Sequence, residues 1–226
     1  MSLPTTTSNR VNPLIPLLSN PIGLDKVIQD IQIALSDIPW LEKIFGRAFE
    51  FNAINTLGKR IKKPMVYIGN GEYYSVLPND TFKSMCFFLT RGHEESEGYL
   101  TGNTSIHKVR GISIIFWVNL KLIDPTNDYI FTEKLKTDVE QVLIHLPQVQ
   151  DIENYNDQEA DQIFASSGKA KLGVSTPFNL ADTPDAYLMY PYSAFRMELS
   201  LKYTDILCQP QRASSFDFTF DKSFND

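Results

Sequence analysis

Eighteen consecutive residues, Ile106 to Ile123, are dominated by β-branched, aromatic and other apolar side chains, with few residues that would break an extended chain. Ile112, Ile114, Phe116, Val118, Leu120 and Leu122 fall on one face of a strand, and Ser113, Asn119 and Lys121 share the other with Ile115 and Trp117. One face is therefore expected to be core. A strand of this length points to a fold built around a sheet. Asp124-Pro125 ends the segment, and an amphipathic helix follows, starting near Asn127 or Asp128. It places Phe131, Leu135, Val139, Val142, Leu143 and Leu146 on one side before Pro147.

The neighbouring segments supply the rest of the fold. Leu24, Val27, Ile28, Ile31, Leu35 and Ile38 recur at helical spacing until Pro39, and Trp40 to Phe45 reads as one further helical turn closed by Gly46. The period then switches. Met65 to Ile68 and Tyr73 to Leu77 are strands around Gly69-Asn70-Gly71, residues that accept the positive φ angles of a tight turn. Met85 to Leu89 is a further strand, and residues 91 to 105 are polar and glycine-containing, as in a projecting loop or hairpin tip. From Phe195 to Thr204 apolar and polar residues alternate strictly, the pattern of a half-buried strand. Residues 148 to 186 are mixed and allow at most a short helix around Asp157 to Phe164. The expected class is α+β: a mixed, mainly antiparallel sheet flanked by two main helices, with a projecting loop or hairpin and extended terminal arms. Three units are expected: an N-terminal arm over 1–21, one domain over 22–207 and a C-terminal tail over 208–226.

At 226 residues, with 42% apolar side chains, the chain can bury a substantial core. Its formal charge of -6 offers no basic field for tight, non-specific binding to a phosphate backbone. Cys86 and Cys208 lie far apart without metal-ligand spacing and are expected to be free thiols. The first residues lack the apolar core of a signal peptide, and no apolar stretch approaches the roughly 20 residues of a membrane span. No membrane association is expected.

Tests for chemistry fail one after another. Gly69-Asn70-Gly71 sits between strands and lacks the lysine and helix of a phosphate-binding loop. His93, Glu94, Glu95 and Glu97 are the one dense set of possible metal ligands, but adjacent residues converge poorly, so a solvated acidic loop is expected. There is no Gly-x-Ser-x-Gly, and Cys86, between Met85 and Phe87, reads as buried and inert. The expectation is a protein with no catalytic residue, no cofactor and no metal. Lys59, Arg60, Lys62 and Lys63 form a basic cluster that either protects a strand edge from pairing or meets an acidic patch or a phosphate backbone. Leu14, Ile15, Leu17 and Leu18 in the proline-containing arm, and Phe216, Phe218 and Phe220 in the tail, are apolar residues suited to docking, in cis or as an added strand on a neighbour.

Helix, hairpin, strand, long strand, helix and closing strand, in that order over residues 22 to 206, resemble the tail-terminator and neck-ring proteins of tailed bacteriophages. The two long termini and the segment 148–186 resemble the elaborated necks of short-tailed phages such as the crAss-like group. The resemblance implies a virion protein assembled in the bacterial cytoplasm, a head-tail connector forming a homo-oligomeric ring through which DNA passes without specific binding. It implies contacts to other neck, portal or tail proteins, with the arm and tail residues at subunit boundaries and the 91–105 loop at the lumen or a partner. Two alternatives stay open. One is a monomeric binding module, for instance for a glycan, using Trp117, Tyr73 or Tyr74. The other is a hydrolase or transferase whose site converges around His93, Glu94 and His107.

Overall fold

The computed structural model describes residues 17–54, 58, 60–69, 71–76, 82–99, 105–127, 129–155 and 190–206. Helix α1 (Gly23–Leu35) is followed by strands β1 (Lys43–Ile54), β2 (Arg60–Gly69), β3 (Glu72–Ser75), β4 (Ser84–Tyr99) and β5 (Ser105–Asn119). A short helix α2 (Leu120–Ile123), helix α3 (Thr132–Leu143) and strands β6 (Val149–Tyr155) and β7 (Tyr192–Ile206) complete the order. The strands form one sheet in the order β3-β2-β1-β4-β5-β7-β6. Among the described residues only the β1–β4 pair is parallel. The fold is α+β.

The helices lie on one face. Leu24, Val27, Ile28, Ile31 and Leu35 of α1 and Leu135, Val139 and Leu143 of α3 bury against Ile112, Ile114, Phe116 and Val118 of β5 and Phe195, Met197, Leu199 and Leu201 of β7. The Phe116 and Phe195 rings stack at this centre, 4.5 Å apart and nearly parallel. The opposite face is buried too, around Phe45, Ala48, Val66, Met85, Phe87, Leu89, Ile115 and Trp117. This corrects the expectation of a single core face: β5 lies between two apolar clusters, which is why its sequence is nearly continuous in apolar residues instead of alternating.

Several boundaries differ from the sequence expectation. The chain turns after Ser36, and Lys43 already starts β1, where a further helical turn was expected over Trp40 to Phe45. Three side-chain bonds stabilise this turn: the Ser84 hydroxyl donates to the Trp40 carbonyl (2.6 Å), Glu42 N donates to Ser84 Oγ (2.8 Å), and Lys83 N donates to the Glu42 carboxylate (2.9 Å). The long β segment stops at Asn119, whose side-chain oxygen accepts from Leu122 N and caps α2. Helix α3 begins at Thr132 and not near Asn127, because the Asp124 carboxylate gathers Thr126 and Asn127 into a turn. Strand β6, paired with β7, occupies ground read as structureless at most with a short helix. The region of that helix, Asp157 to Phe164, lies outside the described residues. So do most of the two terminal arms. Among the described residues no helix is long and apolar enough to cross a membrane.

Truncating Phe116 removes one ring of the central stack from a site with no solvent access. Phe116→Ala is expected to lower unfolding stability by about 3–5 kcal/mol in urea titration. A loss under about 1 kcal/mol would contradict the packing described.

Candidate functional site

The β4–β5 hairpin runs beyond the part of the sheet that the helices cover, and Gly92 to Glu97 on β4 are exposed. The polar stretch expected as a loop is strand as far as Tyr99, with register shifts between Arg91 and Glu95 and between Ser96 and Gly98. Such bulges let polar, glycine-containing sequence stay paired while re-aiming its side chains.

That re-aiming divides the acidic set between the two faces. On the helix side, Glu94 receives the Tyr203 hydroxyl and the Lys108 ammonium (2.8 Å), and Lys108 also reaches Asp205 at 2.7 Å. Lys108 and Tyr203 are register partners across β5 and β7, which holds the cluster together. On the other side Glu97 pairs with Lys202. His93 and Glu95 remain largely solvated, 3.6 Å apart. Residues 91–99 carry three glutamates and one arginine, and Lys108 and Arg110 on the paired strand β5 bring two more cations beside them, so the two strands together are charge-balanced.

The cluster shifts its members in the directions its geometry requires. Hydrogen bonds from Lys108 and then Tyr203 hold the Glu94 carboxyl below its ordinary value. Bonds to Asp205 and then Glu94 raise Lys108, and burial, reinforced by Glu94, raises Tyr203. A second charged group lies on the face away from the helices. Glu198, 4% exposed, pairs with Arg91 and lies 3.4 Å from Arg196. The Arg91 side chain passes over Gly111, where a Cβ would stand 3.4 Å from Arg91 Nε, an ordinary van der Waals contact. The alternation of β7 read Arg196 and Glu198 as solvent-facing. Both are buried, with Glu198 between Arg196 on its own strand and Arg91 on β4, across β5, and this convergence of charges from distant parts of the chain was the missing signal.

The residues proposed for hydrolysis do not come together. His107 meets Thr204 at 3.0 Å on the face opposite the Glu94 cluster, and His93 is exposed beside Glu95. Among the described residues no group of three or more His, Cys, Asp or Glu could hold a metal ion. Cys86 is buried as a free thiol, and burial alone raises its pKa; Cys208 lies outside the described residues.

Of the aromatics suited to a binding module, Trp117 is 1% exposed and stacks on Tyr192 at 5.1 Å, which removes it as a surface platform. Tyr74 is half-buried and stacked on Phe45. Tyr73 is 49% exposed and joins an aromatic surface at the β3 end of the sheet, 6.2 Å from Phe51 and 5.3 Å from Tyr67. Next to it, Arg47 lies over the Phe49 ring and bonds Asp25 of α1 at 3.1 Å. A cleft of about 200 Å³ opens there between α1 and β1, lined in part by Leu18, Ile28, Gln29, Arg47 and Phe49. Leu18 N donates to the Gln29 side chain (2.8 Å), so the described end of the N-terminal arm lies against α1, with Leu17 and Leu18 exposed. Leu14, Ile15, Phe216, Phe218 and Phe220 lie outside the described residues.

No protein-family model matches the chain, and no curated protein is significantly similar to it.

Replacing Lys108 by methionine leaves Glu94 and Asp205 facing each other without their cation. Glu94, with its pKa lowered in the fold, stabilises above its ordinary value near 4.5, and this is lost as pH falls through the lower folded value. Lys108, with its pKa raised, stabilises below its ordinary value near 10.5, and this is lost as pH rises through the higher folded value. The stability deficit of Lys108→Met, measured by denaturation, is expected to be largest between those limits and to shrink outside them. A deficit independent of pH would show that the cluster acts through packing and not charge.

Proposed function

We propose that the chain is a structural subunit of a ring in the neck or tail of a tailed bacteriophage, a tail terminator or head-tail connector. The observation that carries this reading is the architecture: a mixed sheet with both main helices on one face and a long β4–β5 hairpin extending past them. Such a subunit works by assembly. A closed ring needs two different, complementary surfaces on each copy, and a seven-stranded sheet with two unlike ends offers them. The hairpin, with its solvated His93 and Glu95 and its ion-paired Glu94 and Glu97, is the part placed at the lumen or against a neighbouring neck protein. Its balanced charge and the net charge of -6 give DNA nothing to hold as it passes. The arm, through Leu14, Ile15, Leu17 and Leu18, and the tail, through Phe216, Phe218 and Phe220, reach across subunit boundaries.

The exposed Phe51, Tyr67 and Tyr73 favour a second reading, a monomeric binding module, because clustered aromatic faces suit stacking on a flat ligand such as a sugar ring.

Light scattering across a concentration range separates the two. The assembly reading expects a multiple of the 25.7 kDa subunit mass, and loss of that oligomer when the chain is truncated after Pro210. A strict monomer at every concentration would favour the binding module, and an oligomer indifferent to truncation would remove the tail from the interface.

A further inference from the structure

The two ends of the sheet differ in charge as well as position. Residues 54–69, which include β2, contain four basic residues and no acidic one. Residues 137–155, spanning the last part of α3 and all of β6, contain four acidic residues and no Lys or Arg. Six strand spacings separate β3 from β6, roughly 29 Å in a seven-stranded sheet, so one copy cannot bring its own two ends together.

Each end also exposes apolar surface. At the β2–β3 end Ile54 is 73% exposed at the end of β1, and Phe51 and Tyr73 form an exposed ring pair. At the other end a groove of about 540 Å³ runs between α3 and β6, lined by Glu140, Gln141, Ile144, Val149, Asp151 and Ile152. Ile144 stands at its side, 63% exposed. Among the described residues β6 has a strand partner only in β7. Among the described residues Arg60 to Lys63 of β2 pair with β1 alone, and the β3 register covers Met65 to Gly69. Basic residues along a strand discourage its pairing with an identical strand and attract an acidic one.

We infer that these two ends are the halves of one head-to-tail interface between copies of this chain, with the basic, aromatic end of one subunit seated in the acidic α3–β6 groove of the next. The inference rests on the ring reading and names the surfaces that build the ring. Charge complementarity selects a second copy as the occupant, since the chain itself carries both halves. The interface is heterologous, so it leaves one free half on each side and propagates until the ring closes.

Charge reversal tests it on the full chain by sedimentation velocity at moderate salt. A basic-end variant, Lys62→Glu with Lys63→Glu, and a groove variant, Glu140→Lys with Asp151→Lys, are each expected to weaken self-association at least tenfold. Mixed in equal amounts they are expected to assemble, because the acidic end of one now meets the basic groove of the other. That rescue also shows that both variants are folded. Raising the salt should dissociate the native assembly, as screening of exposed charges requires. Variants that assemble separately as well as the native chain would overturn this interface while leaving the ring reading in place. A native chain that is monomeric throughout would overturn both.

Discussion

Strand β5 is hydrogen-bonded along both edges, to β4 and β7, and is buried on both faces from Ile112 to Val118. A strand in that position can leave no backbone donor or acceptor without a partner, so its neighbours must follow it in register over nearly its whole length. The consequence is visible in both directions. Towards α2 the strand ends where Asn119 turns from a ladder position into a helix cap. Towards the hairpin tip the core residues give out, and the same ladder continues through charged pairs instead of apolar ones.

These charged pairs follow the core towards the hairpin tip, beginning where Asp205 stands against Gly23 at the start of α1. Apolar burial stabilises the central third of the sheet at roughly 25 cal/mol per Å². Further out, Lys108 between Glu94 and Asp205 ties β4, β5 and β7 together on one face, and Lys202 with Glu97 does so on the other. Glu198 between Arg91 and Arg196 belongs to the covered part of the opposite face, where removing one partner would leave a desolvated charge. A hairpin held on both faces by ion pairs can extend into solvent without exposing a sticky apolar surface.

The elements legible in the sequence were those with a strong period: α1, α3, the β2–β3 hairpin and β7 each came from one unbroken pattern. Strand β1 was misread at its start because Trp40, Leu41, Ile44 and Phe45 are apolar at spacings that suit a helical turn. In the fold Ile44 faces one apolar cluster and Phe45 the other, a division that no local pattern encodes. Strand β6 was missed because Asp151 and Glu153 interrupt its apolar residues, and its place is set by pairing with a strand about fifty residues away in sequence. The candidate site was less legible still. The spacing of His93, Glu94, Glu95 and Glu97 does not reveal a bulge, and only the bulge decides which glutamate meets Lys108. The basic cluster at Lys59 to Lys63 was visible at once, but its acidic counterpart emerged only when the fold brought α3 and β6 to the far end of the sheet.

We propose this sheet as a repeating part whose two unlike ends join copy to copy around a closed circle. Electron microscopy of the purified, negatively stained full-length protein tests it most directly. Closed rings of one rotational symmetry, with a central opening, are the predicted result. A field of single-subunit particles, or open filaments that never close, would contradict it.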